Sequence, residues 1–311
     1  MRERAIVREV GPRDGLQMVK TILPAARKLA WCRGAAEAGI RDIEVTSFVP
    51  PKVVPQFADA EEVARGAIAM GGFRPSALVP NLKGAERAFA LGLPQVNYVL
   101  SASEEHNLAN VRRSTEESLQ DFARIVAARD ERPGTRIALG GGIATAFGCT
   151  IAGAVSEARV VEIAARLAVM GADEIIVADT VGYGDPRQVR RLLTAVIAAV
   201  GPVPVACHFH DTRALGLANV TAALDAGVRA FDASLGGLGG CPFAPGATGN
   251  IGTEDTVFLL EQLGFDTGAD VEKLITLRRE VETWLPGERF SGAIARAGLP
   301  KTYRALANLP A

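Results

Sequence analysis

The sequence predicts a (β/α)8 barrel, and three observations predict it. Short β-branched runs alternate with alanine-rich stretches of helical period, the alternation repeats eight times, and no dinucleotide-type G-x-G-x-x-G follows the first strand. Doubly wound sheets share the alternation, but eight units in series favour closure into a barrel. The strands are expected near 5–10, 42–45, 76–80, 95–100, 136–141, 174–178, 203–208 and 230–234. The helices that follow them are expected near 24–38, 58–70, 83–91, 115–129, 154–170, 186–200, 214–226 and 253–263. Gly39, Gly92, Gly171 and Gly227 stand just past four of those helices, where a glycine can take the left-handed conformation that ends a helix. A C-terminal extension follows residue 266, helical over 274–283 and turn-rich over 285–292. With no Pro/Ser/Gly linker between halves, one catalytic domain is expected over 1–311, with the barrel to about 265 and the extension beyond it.

Composition limits the function. The 311 residues are 48% hydrophobic and 22% charged, enough apolar material for one large core. A net charge of -1 with scattered arginines argues against nucleic acid as a partner. Cys32, Cys149, Cys207 and Cys241 are widely spaced without a C-x-x-C, which suggests neither a disulfide framework nor a zinc knuckle and points to a reducing cytoplasm. Met1-Arg2-Glu3-Arg4 leads directly into a strand with no apolar signal core, and no window approaches 18 uninterrupted apolar residues, so neither secretion nor a membrane partner is expected.

Barrel active sites form where the strands end and the following loops begin. Polar residues gather at those positions: Glu9, Arg13 and Asp14 after the first strand, Glu44, Asn81, Ser101 and Asp179 after later ones, and His208 and His210 after the seventh. Any one of these alone is equally well read as a cap or a turn. In His208-Phe209-His210, strand alternation places both imidazoles on one face. With Asp14 and the Asn250 amide they would form a mixed nitrogen and oxygen shell suited to one divalent cation, Mg²⁺ or Mn²⁺. His106, in the polar run Glu104-Glu105-His106-Asn107, is expected at the surface or rim rather than as a ligand. The glycine-rich run 236–250 is expected to be a mobile active-site loop that displays Cys241. It lacks the GK[ST] of a phosphate-binding loop.

Taken together, these motifs resemble the 3-hydroxy-3-methylglutaryl-CoA lyase family, among the metal-dependent lyase and synthase barrels that share an Asp-Arg-Glu set. The resemblance spans almost the whole chain. It rests on Val10-Gly11-Pro12-Arg13-Asp14-Gly15-Leu16-Gln17, Glu44-Val45-Thr46-Ser47-Phe48-Val49 with Pro51-Lys52, Asn81-Leu82-Lys83-Gly84, His208 to Asp211, and the cysteine loop ending in Gly249-Asn250. It implies that Asp14, His208, His210 and Asn250 hold the metal and that Arg13, Glu44 and Cys241 are catalytic. It also implies an acyl-CoA substrate, a homo-oligomer such as a dimer, and a place in leucine degradation or ketone body formation. In the implied cleavage to acetyl-CoA and acetoacetate, Arg13 would stabilise the developing enolate and Cys241 would protonate it. His208 is the candidate base for the hydroxyl, although a metal-bound imidazole cannot act freely as one; Glu44 either shares that task or orients Arg13. Glu9, Gln17, Lys20, Ser47, Asn81, Asp179, Thr180 and Arg213 are expected around the substrate or its ligands.

The chain departs from the best-known lyases in reading Asp211-Thr212-Arg213-Ala214-Leu215, where they have Tyr-Gly-Gln after Asp-Thr. It also lacks the Pro-Tyr-Glu that commonly follows the cysteine at Cys149. A lyase for a related 3-hydroxyacyl-CoA such as citramalyl-CoA is therefore an alternative. A Claisen synthase of the isopropylmalate type is less well supported, because no long C-terminal regulatory region follows the barrel. A non-catalytic ligand-binding barrel would have no need of the metal set.

Overall fold

In the computed structural model, which describes residues 2–134, 136–240 and 249–303, eight parallel strands close into one barrel in sequence order. They are β1 (Ile6–Glu9), β2 (Asp42–Ser47), β3 (Arg74–Val79), β4 (Gln95–Ser101), β5 (Ala138–Ala144), β6 (Glu174–Asp179), β7 (Val205–Phe209) and β8 (Ala230–Ala233). Around them run α1 (Ala25–Glu37), α2 (Ala60–Met70), α3 (Leu82–Ala90), α4 (Glu104–Val111), α5 (Thr115–Asp130), α6 (Glu157–Met170), α7 (Pro186–Val200), α8 (Gly216–Asp225) and α9 (Thr253–Gln262). The extension adds α10 (Val271–Trp284) and the short α11 (Ile294–Ala297).

Local chemistry explains the boundaries. A capping box starts α5, in which Ser114 accepts from the Glu117 N–H and the Glu117 carboxylate accepts from the Ser114 N–H. Asp185 caps α7, and Pro186 occupies the first turn, where an N–H would have no helical partner. At the end of α6, Gly171 takes φ 110°, which its lack of a Cβ allows.

Two expectations change. The fifth strand starts later than expected and runs on to Ala144. Glycines are poor strand formers, but a Cβ on Gly140 would stand 2.4 Å from Asn97 Oδ1, so the bare backbone leaves room for a polar side chain inside the barrel. Residues 104–111, a polar run outside the expected helices, form α4, capped by Ser103, which accepts from the His106 N–H at 3.2 Å. That helix turns His106 inward, where it is buried at the wall of the barrel-mouth cavity, at the rim rather than the outer surface.

Three further features position the site. A register shift between Glu44 and Thr46 marks a bulge in β2, the usual means of re-aiming side chains near a barrel rim. Arg8, Asp232 and His208 are mutual register partners across β1, β8 and β7, and so share one level of the barrel interior. The extension grips the β8–α9 connection: Arg278 of α10 meets Glu254 at 3.0 Å, and the Ser291 N–H donates to the Gly236 carbonyl at 2.7 Å. Among the described residues, no helix is long and apolar enough to cross a membrane.

Candidate active site

After β1 the chain makes a π-helical turn, Gly11–Gly15, in which the Val10 carbonyl accepts from the N–H groups of Arg13, Asp14 and Gly15. The turn brings Arg13 and Asp14 to the mouth of the barrel. It requires glycine at position 11, because a Cβ there would lie 2.3 Å from the Glu9 carboxylate and 2.4 Å from the Trp31 ring.

Facing this turn, His208 of β7 and His210 just beyond it bring their Nε2 atoms to 3.1 Å, with Asp14 Oδ2 at 3.9 and 4.0 Å from them. The Asn250 amide nitrogen donates to Asp14 Oδ2 at 2.7 Å and to the Leu238 carbonyl at 3.0 Å. Its Oδ1 is buried and has no hydrogen-bond partner among the described residues. An imidazole pair, a carboxylate and an unmatched amide oxygen make a donor set that fits a hard or borderline divalent cation. The two Nε2 atoms already converge at 3.1 Å, so both imidazoles face the same point beside Asp14. All four residues are thus brought together, as the sequence suggested.

The charges are strongly coupled. Burial disfavours the Asp14 carboxylate, but Arg13 and the two imidazoles outweigh it and hold its pKa near 2. His208 is pulled down by burial, yet Asp232 and Asp14 reverse this and raise its pKa. Burial and the neighbouring His208 push His210 down to about 4.

Arg13 donates through Nη1 to Asp14 Oδ1 at 2.6 Å and through Nε to Glu44 Oε2. The other Glu44 oxygen accepts from Asn97 Nδ2 at 2.9 Å, and Asn97 Oδ1 accepts from Gln95 at 3.0 Å. This ladder fixes the planar guanidinium at the wall of a cavity of roughly 260 Å³ that both histidines, Asp14 and Asp232 also line.

Of the residues expected around the substrate, Gln17 and Thr180 line the cavity. The others have different surroundings. Glu9 lies behind the strand ends, accepting from the N–H groups of Gly11 and Leu235 and from Thr253 Oγ1. Asp179 holds the Tyr183 and Gly184 N–H groups, and burial raises its pKa to about 6. Ser47 accepts from the Val49 N–H, and Asn81 caps α3 through the Gly84 N–H. Lys20 is exposed, with its backbone N–H on Glu288. Arg213 stacks on Tyr183 at 4.5 Å and donates to two carbonyls, lining a separate open groove. Cys241 lies outside the described residues. Cys149, after β5, is fully buried, its sulfur accepting from the N–H groups of Ile151 and Ala152.

Sequence reasoning missed Arg8, Asn97 and Asp232, all polar and buried in strands. The signal was a charged or amide side chain inside an otherwise apolar strand, which must find a partner across the barrel.

The geometry is accompanied by extensive likeness to known proteins. The family model HMGL-like matches residues 4–281. The mitochondrial hydroxymethylglutaryl-CoA lyase of Rattus norvegicus is 43% identical over 88% of this chain and 83% of its own length. The (R)-citramalyl-CoA lyase of Chloroflexus aurantiacus is 42% identical over 95% of both. Among solved structures, an HMG-CoA lyase from Acinetobacter baumannii in complex with coenzyme A and 3-methylmalate superposes with a TM-score of 0.90 at 41% identity, covering 97% of each chain. The closed eight-stranded barrel, the polar cluster at its mouth and the match over most of its length place this chain in the HMGL-like family.

Proposed function

We propose that this carbon–carbon lyase cleaves 3-hydroxy-3-methylglutaryl-CoA to acetyl-CoA and acetoacetate with the help of one divalent cation, Mg²⁺ or Mn²⁺. The observation that carries this reading is the convergence of Asp14, His208 and His210 beside the Arg13–Glu44 pair in one cavity. Asp14, His208, His210 and Asn250 would hold the cation, and the cation supplies Lewis acidity toward the substrate's hydroxyl.

In the reaction the tertiary alcohol passes its proton to a base, for which His208 is the candidate facing the cavity, and the bond to the thioester's α-carbon breaks. The carbinol carbon becomes the ketone of acetoacetate, and the bonding electron pair passes to the α-carbon as a thioester enolate. Arg13, permanently charged and held at two edges by Asp14 and Glu44, faces the cavity where that negative charge develops. Glu44 fixes Arg13 and is itself held by Asn97, so its geometry favours orientation over proton transfer. The enolate then takes a proton to give acetyl-CoA, and Cys241 is the proposed donor. Replacing it with serine should leave metal affinity unchanged and lower turnover by about 10²–10⁴, the usual contribution of a general acid. Full turnover in Cys241→Ser would remove it from the mechanism.

The likeness to the citramalyl-CoA lyase over 95% of both chains favours a second reading, in which the products are acetyl-CoA and pyruvate. A product assay with both acyl-CoA substrates, run with Mg²⁺ and with Mn²⁺, separates the two. Acetoacetate as the dominant product supports the first reading, and pyruvate at higher kcat/KM overturns it.

A further inference from the structure

The two histidines at the barrel mouth have different backing. His210 Nδ1 is buried and has no hydrogen-bond partner among the described residues, whereas His208 Nδ1 lies 3.3 Å from Asp232 Oδ2. Asp232 in turn meets Arg8 Nε through its other oxygen at 2.8 Å, and Arg8 Nη1 pairs with Glu174. These contacts follow from the barrel's register, because β1, β8 and β7 bring Arg8, Asp232 and His208 to one level. Arg8 is 6% exposed and Asp232 7%, so the row is sequestered inside the barrel.

We propose that Asp232 is a positioning residue that keeps the proton of His208 on Nδ1 and leaves Nε2 bare toward His210 and Asp14. A carboxylate paired with a guanidinium can only accept, so the proton of the Asp232–His208 contact belongs to the ring. The ring's remaining lone pair then lies on Nε2, the atom 3.1 Å from His210 Nε2. Arg8 backs the arrangement as an ion pair 2.8 Å from the other Asp232 oxygen. Carboxylate-backed imidazoles are more basic and better oriented ligands, and loss of such a partner typically weakens metal binding 10- to 100-fold. The inference rests on the metal site proposed above. It goes beyond that reading by assigning tautomer control to Asp232, a strand residue outside the proposed ligand set.

Asp232→Asn supplies the test. Arg8 draws the amide oxygen to itself, so the NH2 group faces His208 Nδ1 and drives the ring proton to Nε2. Mn²⁺ affinity, read by electron paramagnetic resonance titration, should fall 10- to 100-fold. Nitrogen-15 spectra of the metal-free wild type should show His208 protonated at Nδ1, a measurement that does not depend on any variant folding. Asp14→Ala is titrated in parallel. If it loses affinity while Asp232→Asn binds Mn²⁺ as the wild type does, the tautomer role is overturned and the metal site stands. If Asp14→Ala itself binds Mn²⁺ normally, the metal site fails and the inference with it. A wild-type His208 protonated at Nε2 also overturns the proposal.

Discussion

Two pairs of carboxylates, one facing the cavity and one behind the strand ends, behave in opposite ways. Asp14 and Asp232 face the cavity and are held below the usual carboxylate range: burial opposes their charge, but Arg13 for one and Arg8 for the other overcome it. Glu9 and Glu254 lie behind the strand ends, and burial pushes both up to about 7. Cation contact alone does not explain the contrast, since Glu254 has Arg278 at 3.0 Å. Asp14 faces one guanidinium and two imidazoles and keeps 14% of its side chain exposed, whereas the Glu254 side chain is fully buried and Glu9 is held chiefly by backbone N–H groups and a threonine. The cavity-facing set is built to stay charged for chemistry, and the rear set to gather loop backbone.

The sharpest way to break this comparison is to remove a cavity-facing group. Asp14→Ala and His210→Ala should each lose Mn²⁺ binding and about a thousandfold or more in turnover together, because the charge and the ligand set vanish at once. Retention of metal by both variants would show that the cluster is structural. Arg13→Lys is the next largest perturbation. Lysine keeps the charge but loses the fork that reaches Asp14 and Glu44, so turnover should fall about 100-fold, near 3 kcal/mol, with KM little changed. A rise in KM at constant kcat would instead mark Arg13 as a ground-state binding residue.

The smallest effect tests the rear set. In the unfolded chain, Glu9 and Glu254 ionise near 4.5, whereas folded they hold their protons to about 7. Between those values the folded state binds more protons, so their contribution to stability is complete below pH 4.5 and is lost as pH rises through 7. Asp14 runs the other way: its contribution is present above 3.8 and is lost as pH falls through about 2. Glu9→Gln preserves the shape and can still accept from two N–H groups. The thermal midpoint of metal-free Glu9→Gln should therefore decline less between pH 5 and 8 than that of the wild type, by a few degrees for a difference of up to about 3 kcal/mol. Parallel declines in the two proteins would show that Glu9 is ionised in the fold.

Much of this architecture was legible in the sequence because periodicity and chain order determine it. Eight alternating units, His208-Phe209-His210 and the Gly11–Gly15 motif pointed to a barrel with a polar mouth, and that is what forms. The relations that depend on register were not legible. Nothing local marks Asp232 as the partner of both Arg8 and His208, since the contacts join three strands distant in sequence. The inward turn of His106 depends on a short helix that its polar composition disguised. Lys20 and Arg213 sit near the right motifs but neither lines the cavity, and Arg213 lines a separate groove, a difference that spacing does not encode.

The barrel closes by pairing β1 with β8, and this has a consequence for how the chain comes into being. Asp14 follows the first strand of the barrel to be made, while Asn250 follows the last. The two, 236 positions apart, meet at 2.7 Å only once the chain between them has been made and the ring has shut. Pairings so distant in sequence form late, after a large loss of chain entropy. A nascent or truncated chain that stops short of β8 therefore cannot assemble the four-residue cluster, and its assembly reports that the barrel has closed.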